Sequence, residues 1–174
     1  MAKQSGLTMV YTGDGKGKTT AAFGLVLRAV GHQQRVLVVQ FMKGKPTGEV
    51  AALQQFLPQV EVVRTGRDVF VNPDSPDEID VRLAEEALDA VRQALQRGEY
   101  DLIVLDEINV AVDYGLIREE AVLELIAQRG SATLVLTGRG ATPRVQEAAD
   151  LVSEVREIKH HWRQGFAAQA GIEF

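Results

Sequence analysis

Val10-Tyr11-Thr12-Gly13-Asp14-Gly15-Lys16-Gly17-Lys18-Thr19-Thr20 decides how the rest of the chain is read. Its order is the end of a strand, a glycine-rich turn, then the first residues of a helix. Closely spaced glycines let a backbone curl with its N–H groups pointing inward, and a helix N-terminus adds positive partial charge. Such a loop cradles phosphate: Lys18 reaches the outer phosphates and the Thr19 hydroxyl ligates magnesium. The usual spacing has a glycine five residues before the Gly-Lys pair, where this chain has Thr12. With Gly13 as its first glycine, the loop is one residue shorter than standard. A flexible Gly/Lys surface turn is the competing reading. Strand, loop and helix in consecutive order favour phosphate binding.

Working outward, short apolar runs alternate with helical patterns. Strands are expected over residues 7–12, 35–41, 60–64, 101–105, 132–136 and 151–155. Helices are expected over 18–30, 48–56, 78–97 and 118–129, and a short one starts at Thr142-Pro143, a capping residue followed by proline. Over 78–97 the apolar residues Ile79, Leu83, Ala87, Val91 and Leu95 recur at spacings of four. The runs RVLVVQF, DLIVL and ATLVL are continuous, as in strands buried on both faces. Six strands with five helical segments predict an α/β fold, a three-layer sandwich around a mostly parallel sheet. No repeat or linker divides residues 1–174, so a single domain is expected.

The bulk numbers agree. At 174 residues the chain suits one domain that buries about two-thirds of its unfolded surface. A net charge of −5 argues against a broad nucleic-acid surface. The absence of cysteine removes disulfides, thiolate metal sites and cysteine nucleophiles. No apolar stretch reaches membrane-spanning length, and the first six residues show no signal-peptide profile; a cytoplasmic location without membrane association is expected.

In such a sheet, ligands sit beyond the carboxyl ends of the strands. That gathers residues 13–19, 40–43, 106–109 and 137–139 on one edge. Asp106 and Glu107, following an apolar strand, are placed to order magnesium directly or through water; helix-capping or solvated acids are the alternative. Arg139 is a candidate phosphate contact or a solvent-facing arginine. His160 and His161, adjacent on an extended segment, should point to different sides, which makes a metal pair a poor reading; a surface turn or a phosphate contact is the better one. Trp162 is expected to pack. Arg28 and His32 lie on or beyond the first helix, where surface placement is the plain expectation.

Together these segments resemble the phosphate-loop type of ATP:corrinoid adenosyltransferases, from about residue 8 to 174. The resemblance rests on Gly13-Asp14-Gly15-Lys16-Gly17-Lys18-Thr19-Thr20-Ala21-Ala22 with the same shortened loop. It continues through Val39-Gln40-Phe41-Met42-Lys43-Gly44, Leu105-Asp106-Glu107-Ile108-Asn109 and Thr137-Gly138-Arg139-Gly140. It ends with Lys159-His160, Gly165 and Gly171-Ile172-Glu173-Phe174. It implies a P-loop NTPase-like (RecA-like) fold and attack of a cobalt(I) corrinoid, cobalamin or cobyrinic acid a,c-diamide, on the 5′ carbon of ATP, releasing triphosphate. By the family's pattern, Gly13 to Thr20, Arg28 and Arg139 bind nucleotide. Lys18, Lys16 and Glu107 are catalytic, and Thr19 with Glu107 or Asp106 holds Mg2+. A reductase or flavodoxin-type electron donor and a homodimer are also implied.

Two departures stand out. The family has two aromatics in a Gly-x-Gly-Phe-x-Trp segment after the third strand, which help displace the corrinoid's lower ligand. Here the stretch is Gly66-Arg67-Asp68-Val69-Phe70-Val71. Valine stands at both aromatic positions, so the corrinoid-side candidates are Val69, Phe70 and Val71, with Phe70 able to serve through a shifted loop. Some members also carry an N-terminal extension over the site. Few residues precede the first strand here, which implies a more open corrinoid face or closure by a partner subunit.

Overall fold

A computed structural model describes residues 5–173. Residues 1–4, part of the stretch searched for a leader, and Phe174 of the C-terminal motif lie outside the described residues. Six parallel strands form one sheet: β1 (Thr8–Thr12), β2 (Val36–Phe41), β3 (Val60–Thr65), β4 (Leu102–Asp106), β5 (Thr133–Thr137) and β6 (Leu151–Glu154), in the order β3-β2-β4-β5-β1-β6. The helices are α1 (Lys18–Gly31), α2 (Gly48–Phe56), α3 (Glu78–Arg97), α4 (Ile108–Asp113), α5 (Glu119–Gln128) and α6 (Pro143–Ala148). The expected elements are all present with shifts of a residue or so at their ends.

Period-two alternation divides the buried strands between two cores. Val36 and Val38 of β2, Leu102 and Val104 of β4 and Val135 of β5 pack with Ala22, Phe23 and Val26 of α1 and Val50 and Leu53 of α2. Leu37, Val39 and Phe41, Ile103 and Leu105, and Leu134 and Leu136 pack on the other face with α3, α4, α5 and α6. Both faces are covered, which is why these strands are mostly apolar, with the buried polar Gln40, Asp106 and Thr137 at their carboxyl ends. The chain moves outward along the sheet through α1 and α2, then returns through α3 to α6. Because parallel crossovers keep one hand, that reversal of direction puts the second set of helices on the opposite face.

Two details differ from the expectations. The buried stripe of α3 is Asp80, Ala84, Ala87, Leu88, Val91 and Ala94, whereas Ile79 is exposed. Steps of four overshoot the helical repeat by about 40° each, so a row from Ile79 to Leu95 drifts off the core face. Helix α4 was not expected. It has six residues, three of them valine or isoleucine, directly behind β4, too short a stretch for periodicity to register.

Candidate functional site

The glycine-rich loop expected to bind phosphate begins where β1 ends and closes where α1 starts. Gly17 caps α1 in the left-handed region at φ 116°, a conformation that favours glycine. A Cβ there would meet open space, in the mouth of the loop. Gly15 is enclosed instead: a Cβ would lie 2.8 Å from the Val155 carbonyl oxygen and from Arg156 backbone atoms. The Gly15 N–H donates to that Val155 oxygen at 2.7 Å, seating the loop on the chain that leaves β6.

Lys18 is buried, and its ammonium donates to the carbonyl oxygens of Gly13 (2.6 Å) and Gly15 (2.7 Å). Burial pulls its pKa below the ordinary lysine value; Glu107 opposes this and Arg139 adds to it. Lys16 is more exposed and pairs with Glu173 at 2.5 Å.

Asp106, at the end of β4, has no exposed surface. Four donors surround it. Thr19 and Thr137 hydroxyls donate to Oδ1 at 2.8 and 2.7 Å; Gln40 Nε2 and the Lys43 ammonium donate to Oδ2 at 2.9 and 2.5 Å. Burial by itself would raise the carboxyl's pKa. The Lys43 charge, with hydrogen bonds from Lys43, Thr137 and Gln40, reverses this and holds it below the ordinary range. Gln40 and Asp106 are register partners on adjacent strands, which fixes their approach.

Glu107 turns the chain from β4 into α4 in the left-handed conformation, φ 66°. Its N–H donates to the Thr137 hydroxyl at 2.9 Å. Burial pushes its carboxyl above the usual range; Lys43 opposes the shift and neighbouring Asp106 adds to it. Met42, just past β2, is also left-handed at φ 57°. Two non-glycine residues at positive φ thus stand at the ends of adjacent strands, both on the wall of one cavity. Such conformations cluster where a site dictates the backbone.

That cavity has a volume of about 890 Å³. Residues 14–20 line one part, Phe41, Met42 and Lys43 another, and Glu107, Tyr114 and Arg139 a third. Arg67 to Val71 form the wall contributed by the loop after β3. Arg67 anchors this loop, donating to Asp80 through Nε and Nη2 and to Asp77 through Nη2. Gly66 and Gly44 pass so close to the neighbouring loop's backbone that a Cβ would collide with it. Phe70 projects from the loop fully exposed, and Val69 is 55% exposed. Arg139 Nη2 reaches the Asp14 carbonyl oxygen at 3.4 Å, so this arginine stands beside the phosphate loop.

The expected site residues therefore come together with one exception. Arg28 is exposed in the last turn of α1, outside the cavity, at the opposite end of that helix from the loop. His160 and His161 do not diverge: a short 3₁₀ turn begins at His161, and the two rings stack with centroids 4.7 Å apart. His160 lines the cavity. Trp162 is 73% exposed rather than packed. Lys43 and Gln40 had no assigned role in the sequence; their signals were a position at the end of an apolar strand and a place in the Val39–Gly44 segment of the family resemblance.

Among the described residues, no three His, Cys, Asp or Glu side chains converge to cage a cation. The donors present are the Thr19 hydroxyl, held by Asp106, and the Glu107 carboxylate on the cavity wall. That set suits magnesium, which keeps waters and takes one or two protein ligands alongside phosphate oxygens.

The comparisons with known proteins point the same way. A family model described as "ATP:corrinoid adenosyltransferase BtuR/CobO/CobP" matches residues 4–174. The corrinoid adenosyltransferase of Pseudomonas aeruginosa is 39% identical over 98% of this chain and 85% of its own length. That of Escherichia coli K12 is 38% identical over 98% and 87%. The corrinoid adenosyltransferase CobA of Salmonella typhimurium is 40% identical over 99% and 87%. With that match over nearly its whole length and relatives at 38–40% identity, the chain belongs to the ATP:corrinoid adenosyltransferase family.

Proposed function

We propose that residues 1–174 form a single domain that catalyses ATP-dependent adenosyl transfer to the cobalt(I) of a corrinoid, cobalamin or cobyrinic acid a,c-diamide. The reaction serves adenosylcobalamin biosynthesis or salvage. One observation carries this reading: a single cavity has the phosphate-loop lysines at one part of its wall and the apolar loop of Val69, Phe70 and Val71 at another. Two substrates of opposite character can meet there.

The cobalt lone pair forms the bond to C5′ of ATP, the C5′–O bond breaks, and its electron pair leaves with inorganic triphosphate. Cobalt(I) is a strong nucleophile, so no protein base is needed to activate it. The protein's work is alignment and charge. Lys18, preorganised on the Gly13 and Gly15 carbonyls, and Lys16 stabilise charge on the departing group. Loop N–H groups and Arg139 add to this. Thr19, oriented by Asp106, and Glu107 would hold Mg2+. When bound, Mg2+ supplies charge neutralisation at the triphosphate oxygens. Val69, Phe70 and Val71 face the corrinoid and help exclude water.

The reading brings with it a reductase or flavodoxin-type donor for cobalt(I), a homodimer and a cytoplasmic location. No described helix is long and apolar enough to cross a membrane, and the net charge of −5 leaves nucleic acid without an obvious footing.

Product analysis after anaerobic incubation with Mg-ATP and chemically reduced corrinoid tests it. Light-sensitive adenosylated corrinoid and triphosphate in equal amounts are expected. ADP and phosphate without alkylated corrinoid would instead identify an ATPase or small-molecule kinase on the same loop.

A further inference from the structure

Beside its phosphate loop this chain keeps an anion of its own. Glu173 Oε2 accepts a hydrogen bond from the Lys16 ammonium at 2.5 Å, joining residues 157 positions apart. That bond pulls the Glu173 carboxyl below its usual range, against the effect of burial. Its other oxygen, Oε1, is buried and has no hydrogen-bond donor among the described residues, with His161 Nε2 3.1 Å away as an ion-pair partner when protonated. Glu173 lines the same cavity as Lys16 and Lys18. The tail is tied to the loop at both ends: Val155 receives the Gly15 N–H, and Glu173 takes Lys16.

A carboxylate on this lysine stands where a highly charged polyphosphate needs a cation. The two anions repel and draw on one ammonium, so each weakens the other's hold. Because the Lys16 side chain is 42% exposed, a bound anion can reach its ammonium and displace Glu173. An enzyme that expels three linked phosphates as one unit faces slow release, because every group that stabilises the departing charge also retains the product.

We propose that Glu173 is a positioning residue that acts through Lys16 as an intramolecular competitor of triphosphate. It holds Lys16 at the loop before ATP arrives and recaptures it as triphosphate leaves. The inference rests on the phosphate-loop reading above and adds product release to it.

Calorimetric titration of inorganic tripolyphosphate with Mg2+ into the full-length enzyme, without corrinoid, tests the idea. Wild type is compared with E173Q, E173A, K16Q, the double variant K16Q/E173Q, and K18A. Tripolyphosphate should bind about 2- to 5-fold tighter to E173Q and E173A, the range expected from removing one competing ion pair. In the K16Q background the same change should have no effect. In turnover, E173Q should show stronger triphosphate inhibition and a lower kcat, with the KM for ATP unchanged or lower. A merely structural tail contact would lower Tm without tightening binding, and that result overturns the competitor role. So does E173Q binding within twofold of wild type while K18A loses binding. If wild type does not bind tripolyphosphate, or K18A binds it equally well, the phosphate-loop reading falls and this inference with it.

Discussion

The Thr19 hydroxyl donates to Asp106 Oδ1 across 2.8 Å, tying the first turn of α1 to the end of β4. A threonine whose hydrogen is engaged this way turns its lone pairs elsewhere, toward the cavity. The contact also completes a shell of four donors from three separate segments around one buried carboxylate.

Replacing that carboxylate should be costly. Asp106→Asn puts an amide among donors and leaves Lys43 without its counter-charge. We expect a loss of about 3 kcal/mol, as for one partner of a buried ion pair, and a Tm lower by about 6–12 °C for a chain of this size. Transfer activity should fall as well, because the Thr19 hydroxyl loses its orientation. Because the folded-state pKa of Asp106 is depressed, its contribution is present above the ordinary carboxylate pKa. It is lost as pH falls through the depressed value. Wild type and D106N should therefore converge in stability only in strongly acidic solution. Denaturant melts over pH 2–7 would show this, and an undiminished Tm for D106N at neutral pH would contradict the account.

Glu107 predicts the opposite sign. Its folded-state pKa is raised, so any favourable contribution is present below the unfolded value of about 4.3 and is lost as pH rises through the folded value. At neutral pH the ionised carboxylate is a net cost. Glu107→Gln should therefore melt higher than wild type at pH 7, with the difference vanishing near pH 4, while Mg2+-dependent transfer drops. Thermal melts of both proteins across that range decide it; a lower melting point for E107Q at pH 7 refutes the reading.

Lys18→Ala should reduce adenosyl transfer by at least ~10²-fold, the typical effect of deleting one preorganised group that stabilises transition-state charge. Initial rates with saturating Mg-ATP measure this. Near-normal turnover would remove Lys18 from the catalytic assignment.

Phe70 separates binding from folding. Its ring is fully exposed, so Phe70→Ala should leave stability within about 0.5 kcal/mol of wild type. The KM for corrinoid should rise at least ~5-fold, the loss of an apolar contact worth about 1 kcal/mol or more, while the KM for ATP stays put. Unchanged corrinoid kinetics would show that the loop's apolar residues do not meet that substrate.

Much of the fold was readable because its cause is local. Strands such as Val36–Phe41 are covered on both faces and so are apolar but for Gln40, and glycine closes α3 at the left-handed Gly98. The cap and proline at Thr142-Pro143 announced α6, where the Thr142 hydroxyl does accept the Val145 N–H at 3.3 Å. What escaped was short or depended on a neighbour. Helix α4 has too few residues to show a period. The burial of Asp80 makes sense only once Arg67, thirteen residues earlier, is seen forked onto it. Trp162 was expected to find a core that the tail does not provide.

The sequence by itself determined the strand–glycine turn–helix unit at the site, because eleven consecutive residues contain its strand end, glycines, lysines and helix start. It also determined that the strands alternate with helices, because hydrophobic period is written residue by residue. Only the tertiary structure decided that Asp106 meets Lys43, 63 positions away, and that Glu173 meets Lys16, 157 positions away. The first contact follows from the placing of β2 beside β4, and the second from the return of the tail to the loop. Strand order and chain return are set by how whole layers pack, and no stretch of residues encodes them alone.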